Sequence, residues 1–223
     1  MSLIGIVLLD TRFPRLPGDI GNPATFPFPV IYEKVKRAVP SRVINDRDPS
    51  LLLPFIKAAK TLERKGARAI TTSCGFLALW QKEMAAAVNV PLFTSSLVQI
   101  PWAYELMGRR GRIGVLTADR DSMTGDHLEG VGAEGIPAVI HGMKPESDFH
   151  RIYVGNHSDL DLSRVEREVA MEVSTLLAWH PDISALVLEC TNMAVFRRSV
   201  REAVNIPVFD ILTLIHYIHS SLK

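Results

Sequence analysis

Two cysteines are the only thiols in 223 residues, Cys74 in "ARAITTSCGFLALW" and Cys190 in "ISALVLECTNMAVF". Each follows a run of apolar and small residues that reads as a buried strand. A thiolate is a base and a nucleophile, and a thiol is an acid. Two of them on opposite sides of one carbon could remove a proton from one face and return one to the other, inverting the centre. The sequence places them equivalently. Residues 67–95 align without a gap on residues 183–211, with 8 identities in 29 positions, including Cys74 with Cys190 and Ala87-Val88-Asn89 with Ala203-Val204-Asn205. Unrelated segments would give about two, so the chain is an internal duplication of a strand, helix, strand unit.

The elements that must position these thiols alternate. A strand over 3–9 leads into "DTRFPRLPGDIGNPATFPFP", a stretch with five prolines and two glycines that is expected to line a site or close over it. A short helix over 30–38, a strand over 42–45 and a helix from Ser50 to a left-handed cap at Gly66 are expected next. Then follow a strand over 68–72, a helix over 76–88 and a strand over 91–94. "RIGVLT", residues 112–117, resembles the first strand, with Gly5 and Gly114 in matching places. A helix over 161–179 shows Val165, Val169, Val173 and Leu176 on one face, with Ser163 and Glu166 spaced as a capping box. A helix over 212–220 closes the chain. Alternation of this kind implies an α/β fold of two parallel-sheet lobes, each sheet covered by helices. The lobes are expected at residues 1–97 plus 208–223 and at 98–207. Ligands of open parallel sheets bind beyond the carboxyl ends of the strands. Both cysteines lie at such ends, beside helix N-termini whose free N–H groups would lower a thiol pKa and hold a carboxylate.

Duplicated α/β lobes with one cysteine each at a strand end resemble the aspartate/glutamate/hydantoin racemase superfamily, and the similarity covers essentially the whole chain through "TTSCGF" and "LECTNM". That superfamily includes cofactor-independent amino-acid racemases, hydantoin racemases, arylmalonate decarboxylases and maleate isomerases. The resemblance implies a Rossmann-like racemase fold with the site between lobes and with Cys74 and Cys190 as the catalytic pair. It implies no cofactor, and it makes Asp10 the acidic residue after the first strand and Thr117 a cleft-lining position. The chain departs from the pattern in two places. Cys74-Gly75-Phe76 stands where glutamate racemases carry Cys-Asn-Thr, and Cys190-Thr191-Asn192 stands where they carry Cys-Thr-His. Phe76 would suit a more apolar ligand, and Asn192 can hydrogen-bond but cannot shuttle a proton.

Ser73, Gly75, Thr191 and Asn192 complete the expected substrate-binding set with Asp10 and Thr117, through hydroxyl, amide and backbone donors. Glu189, one residue before Cys190, is expected to point the other way and to make a salt bridge or a backbone hydrogen bond. Arg12 reads as a solvated loop residue. The histidines read as structural, and no metal, phosphate-loop or dinucleotide spacing is present. Lys plus Arg (25) nearly balance Asp plus Glu (24), with basic residues scattered. This speaks against a nucleic-acid or membrane partner. Two cysteines without a leader-like N-terminus read as reduced thiols of a cytoplasmic protein, and the thiol chemistry with the resemblance implies a small carboxylate substrate. A homodimer is the commonest assembly but is not legible here. The reaction expected first is racemisation or epimerisation. A decarboxylase or cis-trans isomerase that uses one thiol is the alternative within enzymes, and a ligand-binding or redox-regulated protein the alternative outside them.

Overall fold

A computed structural model describes residues 2–222. It contains two four-stranded parallel sheets of identical strand order. The first runs β2-β1-β3-β4, from β1 (Ile4–Leu8), β2 (Val30–Lys34), β3 (Ala69–Thr72) and β4 (Leu92–Phe93). The second runs β6-β5-β7-β8, from β5 (Arg112–Thr117), β6 (Ala138–Gly142), β7 (Ile183–Leu188) and β8 (Val208–Phe209). The duplicated cysteine segments thus occupy the same place in both lobes, β3 to β4 and β7 to β8. Central strands β1, β3, β5 and β7 are almost wholly buried on both faces and mainly apolar, with threonines at the ends of β3 and β5, as parallel strands covered by helices must be.

The helices are α1 (Pro40–Ile44), α2 (Leu52–Arg64), α3 (Gln81–Ala86), α4 (Ile100–Leu106), α5 (Gly125–Gly130), α6 (Asp148–Tyr153), α7 (Leu162–Trp179), α8 (Arg197–Ala203) and α9 (Ile211–Ser221). Gly66 ends α2 at φ +92°, a backbone conformation that costs glycine little. Residues 30–38 and 42–45 exchange their expected types. Val30-Ile31-Tyr32 is β-branched and aromatic, and it pairs with β1 as an edge strand. Pro40 has no N–H for a ladder but fits the first turn of α1. Helix α7 is capped by Asp161, whose carboxylate accepts from the Arg164 N–H, and not by Ser163. Its four valine and leucine positions are fully buried as expected.

The boundary expected at 208 falls inside the second sheet. Val208–Phe209 pairs with β7, and only after Asp210 does the chain return to the first lobe. There α9 lays Ile211, Leu212 and Ile215 against Ile4, Ile6, Ala69 and Phe93. Asp210 caps α9 reciprocally with Thr213, which fixes the turn where the chain changes lobes. One apolar core runs through both lobes, joining Val7 and Ile70 to Val115 and Val187. Among the described residues no helix is long and apolar enough to cross a membrane.

Candidate active site between the lobes

Strand β3 ends at Thr72 and β7 at Leu188. Two residues on, Cys74 and Cys190 each cap a 3-10 turn, Gly75–Trp80 and Thr191–Phe196. In each sheet the parallel strands bring their carboxyl ends, and with them one thiol, to the seam between the lobes. Both thiols open on one narrow, largely enclosed cavity of about 20 Å³, room for about one water. Its wall includes Ser73, Cys74, Gly75, Phe76, Cys190 and Asn192. Larger grooves on the surface, such as one of about 590 Å³ beside Leu53 and Lys57, contain no thiol.

The seam is stitched by groups at the strand ends. Thr191 Oγ1 donates to the Ser73 carbonyl (2.9 Å), and Ser73 Oγ accepts from the Leu9 N–H (3.0 Å). Ser96 Oγ donates to the Leu188 carbonyl (2.5 Å). Thr191 and Ser73 therefore hold the two lobes together at the cavity, whatever else they hold. Thr117, at the end of β5, donates to Glu189 Oε2 (2.8 Å). Asp10 stands off the cavity wall, where it accepts from the Arg37 N–H (3.0 Å) and pairs with Lys34 (3.6 Å). It caps a turn at the strand end.

Both thiol pKa values move opposite to the sequence expectation. The N–H of Phe76 does reach Cys74, and both the N–H and the side-chain amide of Asn192 reach Cys190. Burial outweighs them, because a thiolate in an enclosed site loses its water. Burial pushes Cys190 up to about 12 and Cys74 well above its ordinary value, and the Glu189 carboxylate raises both further. Cys190 keeps the better donor set, with Asn192 Nδ2 3.5 Å from its sulfur.

Sequence reasoning missed two side chains. Glu189 does accept hydrogen bonds, from Thr117 and from the Ala118 N–H, but it also lies on the cavity wall. Burial lifts its carboxyl to about 7. Gly75 is what admits it, since a methyl group at Gly75 would collide with the Glu189 carboxyl. The second is Arg15, on the proline-rich stretch. Its guanidinium is held by Asp19 (3.0 and 3.1 Å) and Thr11 (3.1 Å), reaches Asn192 Oδ1 (3.3 Å) and lies 4.6 Å from the Phe13 ring centre. Burial lifts the Asp19 carboxyl above its ordinary value even with Arg15 beside it. Arg12 donates its backbone N–H to Asn156 Oδ1. Charge on a loop gave no signal to tell Arg15 from Arg12; the acidic residue four places on, Asp19, was the available one.

The cavity is also aromatic. Phe13 from the proline-rich stretch and Tyr153 from α6 meet edge to face at 4.9 Å, and both join Phe76 on the wall. Such rings attract organic cations, which present little water to displace.

Comparison with known proteins follows the same lines. The profile of the Asp/Glu/Hydantoin racemase family matches residues 42–215. A dimethylsulfoniopropionate lyase from Durusdinium sp. clade D is 31% identical over 218 residues, covering 93% of this chain and 70% of that one. Dimethylsulfoniopropionate lyase 7 from Emiliania huxleyi is 28% identical over 222 residues, covering 94% of this chain but only 64% of its own length. Among solved structures, allantoin racemase from Klebsiella pneumoniae superposes with TM-score 0.68 at 14% identity, covering 100% of this chain and 87% of that one. Unliganded arylmalonate decarboxylase gives 0.59 at 15%, covering 93% and 86%. These structural likenesses concern the fold.

Proposed function

This chain belongs to the Asp/Glu/hydantoin racemase family, and we propose that it removes a proton from the carbon next to a carboxylate in a small sulfonium acid of the dimethylsulfoniopropionate type, eliminating a thioether. The observation that carries the reading is the pair of thiols on one narrow, aromatic-walled cavity at the seam. Likeness to two dimethylsulfoniopropionate lyases over more than nine-tenths of the chain directs it to elimination.

The steps balance without an oxidant or reductant. Cys190, as thiolate, takes the proton α to the carboxylate, so an S–H bond forms and a C–H bond breaks. The released electron pair becomes a carbon–carbon double bond while the bond from the β carbon to sulfonium sulfur breaks. Dimethyl sulfide leaves neutral and acrylate remains. Charge that builds on the carboxylate meets backbone N–H groups at the starts of the two 3-10 turns. Phe13, Phe76 and Tyr153 supply a face for the sulfonium. Asn192, anchored by Arg15, is the side-chain donor that favours Cys190 as the base.

A second thiol is more than elimination needs. Cys74 on the same wall supports a second reading, in which it returns a proton from the opposite face and the product is the inverted substrate. One assay separates the two. The purified protein is given dimethylsulfoniopropionate, with headspace dimethyl sulfide and dissolved acrylate measured, and in parallel chiral amino acids and hydantoins in deuterated water. Release of dimethyl sulfide is expected, falling about 10²–10⁴-fold in Cys190→Ala. Deuterium uptake with inversion and no gas would replace elimination by racemisation. Full turnover after loss of both cysteines would end thiol chemistry altogether.

A further inference from the structure

Glu189 is the one carboxyl on the wall of the cavity that holds both thiols, and its side chain is wholly buried. Thr117 Oγ1 holds Oε2, while Oε1 has no hydrogen-bond partner. That free oxygen faces the backbone of Gly75, the residue after Cys74, from the opposite lobe. The groups around it are the Thr117 hydroxyl and Ala118 N–H from the end of β5, with Asp119 beyond them and itself beside His150 of α6. Cys74 comes from the other lobe, Cys190 is next in chain, and Tyr153 stands across the cavity. Arg15 and Asp19 act on the thiols from the proline-rich stretch. No cation is among the groups that act on Glu189 in the described residues.

A narrow, buried cavity holds two adjacent negative charges poorly. It has room for about one water, no cation acts on Glu189, and the cation that acts on Cys74, Arg15, is already paired with Asp19. We infer that Glu189 and the thiols carry a single negative charge among them, so that the reactive thiolate forms with Glu189 protonated: the Sγ–H bond breaks, an Oε–H bond forms, and the proton stays within the site. The inference rests on the thiol chemistry proposed above and makes Glu189 a positioning residue for charge. It explains why an uncompensated carboxyl is tolerated against two groups that must ionise. It also supplies the local proton acceptor that the burial of both thiols otherwise denies them.

A shared charge has a signature that does not depend on any substrate. Below the titration of Glu189, at about pH 7, each thiolate requires a proton lost to solvent, and its population rises about tenfold per pH unit. Above it the site is already a monoanion, and thiolate exists only as the alternative placement of that one charge, so its population stops rising. Alkylation of substrate-free protein by iodoacetamide, located by peptide mass, reads this when wild type and variant are compared at each pH, so that the opening of the seam needed to admit the reagent cancels. For wild type the rate should climb to about pH 7 and then level. Glu189→Gln, which keeps the shape and loses the titration, should keep climbing about tenfold per pH unit, and near pH 9 should react on the order of 10–100-fold faster than wild type. Parallel profiles for the two proteins would overturn the inference.

Infrared difference spectra guard against a variant that fails to fold. Wild type should lose the carbonyl band of a neutral, buried carboxylic acid as pH rises through about 7. Absence of any such band would overturn the inference as well. Levelling without turnover of any carboxylate would leave the shared charge standing and remove the proposed reaction. Turnover without levelling would do the reverse.

Discussion

At the scale of single residues, the site is set by which groups the seam brings within touching distance. Gly75 has room for no side chain because Glu189 lies against it, so Gly75→Ala should displace that carboxyl. A loss of about 1–3 kcal/mol is expected from overpacking, read by urea denaturation, together with loss of activity. Glu189 also leaves a mark on stability. Its folded pKa is raised from 4.5 to about 7, so between those values the folded state binds the extra proton and stability falls as pH rises. Relative to wild type, Glu189→Gln should therefore gain roughly 3 kcal/mol between about pH 5 and about pH 8. Denaturation curves at the two ends of that range check the sign. An unchanged difference between the two proteins would mean that the carboxyl is charged throughout. The thiols were legible in the sequence because a repeat marks both. Glu189 was not: alternation along β7 sends it away from Cys190, but β7 has ended at Leu188 and the rule no longer applies.

At the scale of elements, the proline-rich stretch is the part that distinguishes this site. Five prolines keep it out of both sheets, and it folds instead around the Arg15–Asp19 pair, with Phe13 on the wall of the cavity that holds the thiols. Arg15→Ala should leave the buried Asp19 carboxyl without its partner, a loss of about 3 kcal/mol. Faster protease cleavage within residues 10–29 should accompany it, and alkylation of Cys190 should slow, because the same arginine anchors the Asn192 amide that donates to the Cys190 sulfur. Unaltered cleavage would show that the stretch is held by its other bonds, such as Thr25 Oγ1 to the Asp19 carbonyl (2.6 Å). Regular elements were easier to read than this. The long helices α2 and α7 and the strands β3, β5 and β7 announce themselves by periodicity. Residues 30–45 did not, since an edge strand and a five-residue helix carry too few positions to show a period, and packing decided between them.

At the scale of the whole molecule, the two lobes meet at a cavity of about 20 Å³, too small for any substrate with a carboxylate and a leaving group. Binding must open the seam or lift the proline-rich stretch. The contacts across the seam come as a matched pair. By the repeat, Ser73 corresponds to Glu189 and Gly75 to Thr191. The first meets the fourth through the hydroxyl bond to the Ser73 carbonyl, and the second meets the third through the buried carboxyl. Two identical copies docked on a twofold axis would repeat one of these contacts on both sides, and so would present two acids to the substrate or none. An odd number of acids at such an axis is open only to halves that differ in sequence, as the two halves of one chain are free to do.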